Sequence, residues 1–223
     1  MGQDITLTSK DGFQLGAYKA EPQGKPRGAV VVIQEIFGVN HHIRSVTDRY
    51  AQLGYLAIAP ALFDRGEKNF QSGYDGAAMD AARGMVGKIP LDQRLADTQA
   101  AIDAVKSAGK VAVIGYCMGG SIAFLSATRL NGVSAGVGYY GGQIAQFASE
   151  KPKAPIMLHF GEKDQSIPLT DVDKIKASHP EAPIFVYAGA GHGFHCDERG
   201  SFNAEAAQVA ACRSQEFLAK HIG

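Results

Sequence analysis

Apolar runs of strand length alternate along the chain with longer stretches in which apolar residues recur every three or four positions. That alternation predicts a mostly parallel sheet covered by helices. Two short runs, Ile5 to Ser9 and Phe13 to Tyr18, are joined by Asp11-Gly12, a hairpin signal, and predict an antiparallel N-terminal edge. Beyond the connector "EPQGKPRG", Ala29 to Ile33 is continuously apolar and rich in β-branched residues, as a strand buried on both faces must be. Ile43, Val46, Tyr50 and Leu53 keep helical spacing, with Gly54 placed to end that helix, and Tyr55 to Ala59 is a short strand stopped by Pro60. Leu95, Thr98, Ile102 and Val105 mark a second helix, closed by Gly109. Further strands are predicted at Lys110 to Ile114, Val133 to Tyr140, Ile156 to Phe160 and Ile184 to Tyr187, and a closing helix at Phe202 to His221. No linker, composition shift or internal repeat divides residues 1–223, so the expectation is one α/β domain with helices on both faces of its sheet.

Charge and composition narrow the function by exclusion. Lys plus Arg and Asp plus Glu both number 22, for zero net formal charge, and no basic run stands out. Neither nucleic acid nor an anionic membrane is an expected partner. No apolar run approaches the roughly 18 to 20 residues of a membrane helix, and the polar, acidic opening does not resemble a signal peptide. Cys117, Cys196 and Cys212 are odd in number and irregularly spaced, which suits reduced thiols in the cytoplasm better than a disulfide framework. The oligomeric state stays open, with a monomer as the expectation.

Candidate chemistry centres on "IGYCMGG", residues 114 to 120, which matches the glycine-flanked turn that presents a nucleophile between a strand and a helix. "GVSAG" around Ser134 is a second formal match, but it falls at the start of a strand instead of the end. Cys117 follows "KVAVI" and precedes a small, apolar, helix-like stretch. Gly115 and Gly119 would relieve collisions across a sharp turn, and the helix N-terminus would stabilise a thiolate or an oxyanion. The other reading of Cys117 is a buried core thiol. A thiol nucleophile needs a base and a group to orient it, which in this class of turn follow in the order acid, then His. Asp164, with Glu162 as the second candidate, lies in the loop "GEKDQSIP". His192 lies in the glycine-bracketed "GAGHGFH", with His195 as a competing base and His159 as a structural histidine inside a strand. An oxyanion hole would use the amides of Ile36 and Met118. Glu35, at the end of a buried strand, needs a partner: it either accepts the S–H proton of Cys117 or is an exposed loop residue. His192, His195 and Cys196 could alternatively form part of a metal cluster.

With these residues assembled, the chain resembles the dienelactone hydrolase family of α/β-hydrolases. "QEIFGVN", "GYCMGG", "GYYG", "GEKD" and "GAGHGF" match the family's segments in order, from about Ile5 to the C-terminal helix. The resemblance implies an α/β-hydrolase fold, with Cys117 as nucleophile, Asp164 and His192 as triad partners and Glu35 with Ile36 as the early-loop pair. It implies hydrolysis of an enol-lactone or related small ester through a thioester, with no cofactor and no metal. Members acting on dienelactone hold its carboxylate with arginines, one of them four residues after the catalytic histidine. That position is Cys196 here, so Arg199 and Arg83 are the candidate substrate-binding residues. Two other readings start from different features. A noncatalytic ligand-binding relative would keep the fold without a closed triad. A dinucleotide-binding oxidoreductase would use "GVGYYG", residues 136 to 141, with Glu162 about twenty residues on.

Overall fold

The computed structural model describes residues 2–223. Its eight strands are β1 (Gln3–Thr8), β2 (Gln14–Ala20), β3 (Ala29–Ile33), β4 (Leu56–Pro60), β5 (Val111–Tyr116), β6 (Val133–Tyr139), β7 (Ile156–Gly161) and β8 (Ile184–Tyr187). They form one sheet in the order β1-β2-β4-β3-β5-β6-β7-β8. β1 pairs antiparallel with β2, and β2 with β4, while all other pairings are parallel. The expected antiparallel edge is therefore present. Its hairpin is tightened by Gly12 at φ 84° and by Asp11, whose carboxylate accepts the Phe13 amide.

Six helices cover the sheet: α1 (His41–Gln52), α2 (Gly76–Lys88), α3 (Leu91–Val105), α4 (Met118–Arg129), α5 (Leu169–Ser178) and α6 (Ala204–Ile222). α3 and α4 pack on one another and on the sheet, whereas α1 and α6 together enclose a small hollow over Tyr116 on the other face. α1 ends as its sequence predicts. Gly54 takes φ 95°, the Gly54 amide donates to the Ala51 carbonyl and the Tyr55 amide to the Tyr50 carbonyl, which together make a Schellman cap. α3 stops at Val105, and a short 3₁₀ turn intervenes before Gly109 at φ 124°.

Every residue of β3, β5 and β7 is buried, which is why these strands read as continuous apolar runs. One buried polar network interrupts the apolar core. His159 on β7 bonds through Nδ1 to the Tyr187 hydroxyl at 2.8 Å and through Nε2 to Ser214 Oγ at 3.0 Å, and Ser214 also bonds to the Tyr139 hydroxyl at 2.7 Å. Each member is satisfied, and burial holds the imidazole neutral, so His159 is the structural histidine its strand position suggests.

Register places the site. Ile33 pairs with Gly115, Tyr116 with Tyr139, Tyr139 with His159 and Gly161 with Tyr187, so the C-terminal ends of β3, β5, β6, β7 and β8 stand level. The loops that follow these strands converge on one rim of the sheet, with β5 between β3 and β6.

Candidate active site

Cys117 sits between the last residue of β5 and the first of α4, at φ 55° and ψ −117°. A non-glycine residue pays backbone strain there, and the turn is held by the Cys117 amide donating to the Tyr139 carbonyl at 3.0 Å and the Gly120 amide donating to the Cys117 carbonyl at 2.9 Å. The flanking glycines are obligatory. A Cβ on Gly115 would collide with the Gly119 carbonyl, and one on Gly119 would lie 2.5 Å from the Gln34 carbonyl oxygen, backbone that cannot yield. Ser134, the other formal match, is the second residue of β6, at the opposite end of its strand from the rim.

Two loops, those after β7 and β8, bring partners to the thiol. His192 Nε2 lies 3.1 Å from Cys117 Sγ, and His192 Nδ1 lies 2.7 Å from Asp164 Oδ2. The other Asp164 oxygen accepts the Ser166 amide at 2.8 Å, and the carboxylate is wholly buried. Burial opposes a charge on His192, but the hydrogen bonds to Asp164 and Cys117 and the attraction of both groups outweigh it and push its pKa up to about 10. His192 therefore bridges the Asp164 carboxylate on one side and the Cys117 sulfur on the other, with its protonated form favoured. Linkage fixes the sign of the pH response. A pKa raised from 6.5 contributes stability that is complete below about pH 6.5 and is lost as pH rises through about 10. Thermal melts are expected to show a steeper loss of stability between these limits for the wild type than for His192→Gln; parallel pH curves would contradict the assignment.

The other candidates fall elsewhere. Glu162 is exposed and accepts the Gly189 amide at 2.9 Å, away from His192. His195 does not take the place of the base: it is half-buried with its ring 5.1 Å from that of Tyr116 and 4.9 Å from that of Tyr139, and desolvation first, then Arg49 and His42, drive its pKa down to about 3. The metal reading of His192, His195 and Cys196 also fails, because His192 faces Cys117. Among the described residues, the grouping of potential ligand atoms is instead His42, Cys196 and Asp197, where His42 Nδ1 donates to Asp197 at 2.9 Å. The glycines of "GVGYYG" lie within and just after β6, with Tyr139 and Tyr140 buried where a pyrophosphate would have to approach, so the segment is no phosphate loop.

Glu35 corrects both sequence readings of it. It is 1 % exposed, not a surface residue, and its carboxylate accepts from Arg199 Nη1 at 3.1 Å; among the described residues no hydrogen bond joins it to Cys117. Arg199 in turn is no solvated surface charge. Its side chain is 14 % exposed, its guanidinium lies 5.5 Å from the Phe37 ring and 5.9 Å from the Tyr74 ring, and it packs over Gly193, whose φ of 77° disfavours a side chain there. Arg83, on α2, is 69 % exposed and 3.6 Å from Asp80.

A cavity of about 410 Å³ opens over the thiol. Ile36, Met118, Arg83 and Arg199 all line it, and so do residues for which the sequence offers no signal: Met79 and Val86 from α2, and Gln143 and Ser166 from the loops after β6 and β7. Among the described residues, neither the Ile36 nor the Met118 amide donates to a protein acceptor.

Residues 15–222 match the model of the dienelactone hydrolase family. The chain belongs to that family. A carboxymethylenebutenolidase of Pseudomonas putida is 31 % identical, covering 97 % of this chain and 96 % of the relative. A Synechocystis relative that carries the same activity provisionally in its name is 38 % identical over 91 % of this chain and 90 % of its own length. The crystal structure of a Klebsiella pneumoniae protein, provisionally named a dienelactone hydrolase, superposes with a TM-score of 0.88 at 30 % identity, covering 99 % of both chains. The eight-stranded sheet with its antiparallel edge is thus the family's α/β-hydrolase fold, and this dienelactone hydrolase family member is a hydrolase. No helix among the described residues is long and apolar enough to cross a membrane.

Proposed function

We propose that the protein hydrolyses a small carboxylic ester or lactone through a Cys117-His192-Asp164 triad and a thioester acyl-enzyme. The observation that carries this reading is the continuous chain Asp164 Oδ2, His192, Cys117 Sγ, with spacings of 2.7 and 3.1 Å, under a cavity wide enough for a small substrate. Cys117 passes its S–H proton to His192 Nε2 as its sulfur attacks the ester carbonyl carbon, and the carbonyl oxygen takes up negative charge facing the Ile36 and Met118 amides. The imidazolium of His192 gives its Nε2 proton to the leaving alkoxide as the C–O bond breaks, leaving a thioester and neutral imidazole. In a lactone that alkoxide stays tethered to the acyl group. Neutral His192 then removes a proton from water, the resulting hydroxide adds to the thioester, and sulfur departs and recovers its proton from His192. Asp164 keeps Nδ1 protonated throughout, and Arg199 and Glu35 hold one wall of the cavity.

The test uses the full chain carrying Cys212→Ser, since the exposed Cys212 thiol would also react, whereas Cys196 is buried with its pKa pushed up to about 11 by burial. Iodoacetamide is expected to label Cys117 stoichiometrically and to abolish p-nitrophenyl acetate hydrolysis in parallel. An unreactive Cys117 together with no esterase activity would leave a noncatalytic binder as the better account.

A further inference from the structure

The base and one oxyanion donor stand on loops that the sheet does not tie together. His192 follows β8 and Ile36 follows β3, and three strands, β5, β6 and β7, separate the two in the sheet order. Strand pairing fixes neighbours, so contacts across the rim must set the distance between these loops.

Tyr74, half-buried just before α2, makes such a contact with one hydroxyl. That oxygen accepts from Asn40 Nδ2 at 3.0 Å and from the Cys196 thiol at 3.4 Å, and its proton is donated to Glu198 Oε2 at 3.2 Å. Burial first, then Cys196, raises its pKa well above the ordinary tyrosine value, so the hydroxyl keeps the proton it donates. Asn40 lies in the loop that carries Ile36, and its Oδ1 is already committed to the Ile43 amide as the cap of α1, which fixes the direction of its Nδ2. Cys196 and Glu198 lie in the loop that carries His192. The Tyr74 ring meets the same parts: it stands edge-on to Phe37 at 4.7 Å and 5.9 Å from the guanidinium of Arg199, which is bonded to Glu35. The segment that bears Tyr74 is pinned to the loop after β3, because the Ser72 amide donates to the Phe37 carbonyl at 3.0 Å.

We infer that Tyr74 is a positioning residue for the proposed ester hydrolysis: its hydroxyl holds the loop bearing His192 against the loop bearing Ile36, so that base and oxyanion donor keep a fixed separation over Cys117. The inference rests on the triad reading. Arg199 with Glu35 and His42 with Asp197 span the same gap, so loss of the hydroxyl loosens the junction without opening it.

Tyr74→Phe removes the hydroxyl and keeps the ring, whereas Tyr74→Leu removes both. With p-nitrophenyl acetate, Tyr74→Phe is expected to lower kcat about tenfold and to leave KM within about twofold, because the reacting groups and not the bound ester are misplaced. Hydrogen exchange followed by mass spectrometry is expected to speed up in this variant in peptides covering 36–40 and 192–199 together, while β3 and β5 stay as protected as in the wild type. Wild-type kcat and wild-type exchange in Tyr74→Phe, with loss confined to Tyr74→Leu, would overturn the inference and leave the ring as packing alone. A raised KM at unchanged kcat would overturn it too, by making Tyr74 a substrate-binding group. Failure of the esterase reading looks different: the wild type then shows no p-nitrophenyl acetate turnover and no labelling of Cys117, and the exchange comparison by itself supports or sinks the coupling of the two loops.

Discussion

Cys117→Ser is expected to lower kcat/KM for p-nitrophenyl acetate by roughly 10³-fold or more, while thermal stability changes little. Serine tolerates the same backbone conformation, φ 55°, and the same small space at the start of α4. The chemistry does not transfer. His192 is hydrogen-bonded to Asp164 and to Cys117 sulfur, and those partners favour its protonated form. An alcohol is a much weaker acid than a thiol, so transfer of its proton to His192 during attack is far harder in the serine variant. The shorter C–O bond also pulls the nucleophile back from the carbonyl position, and misplacement by a fraction of an ångström is itself costly. Steady-state kinetics with a melt on the same sample checks both halves of the expectation; near wild-type turnover would mean that sulfur is not what the site is built around.

Arg199→Met is expected to destabilise the fold by roughly 3 kcal/mol, because it leaves the Glu35 carboxylate buried without a counterion. Glu35 is 1 % exposed and Arg199 is the partner that holds its charge, so solvent cannot take over that role. The double variant Glu35→Gln, Arg199→Met removes both charges and is expected to recover much of the loss, giving a large coupling energy in a double-mutant cycle. Urea unfolding of the four proteins measures it. Additive effects would show that the two side chains are energetically independent despite their 3.1 Å contact.

The parts of the fold that were legible in the sequence are those in which burial is continuous. Ala29–Ile33 and Ile184–Tyr187 are strands with the bounds their apolar runs predict, and Gly54 caps α1 as its position suggests. Two helices left no readable pattern. α2 contains Gly76, Gly84 and Gly87, each unfavourable in a helix, and buries only Ala82 and Met85; α5 buries only Val172 and Ile175. Both lie across the surface of the domain, where an amphipathic stripe of two residues suffices and periodicity has nothing to report. That is also why Met79 and Val86 were invisible as cavity residues.

The candidate site divides in the same way. Cys117, Asp164 and His192 follow strand ends or sit between glycines, so local context marks them, and the structure brings the three side chains together. The environment of Glu35 could be foreseen only in part. Burial after β3 requires a partner, but Arg199 is 164 residues away in a loop whose path depends on Gly193 and on the Phe37 and Tyr74 rings. No local pattern encodes such a pairing, and the thiol was the nearer guess.

The central claim, that Cys117 is acylated during turnover, is tested most directly by acid-quenching wild-type protein during p-nitrophenyl acetate hydrolysis and mapping the acyl group by peptide mass spectrometry. The account predicts one acetyl group per chain on the peptide containing Cys117, released by hydroxylamine as a thioester is. An acetyl group on another side chain, or full turnover after Cys117 has been alkylated, would contradict it.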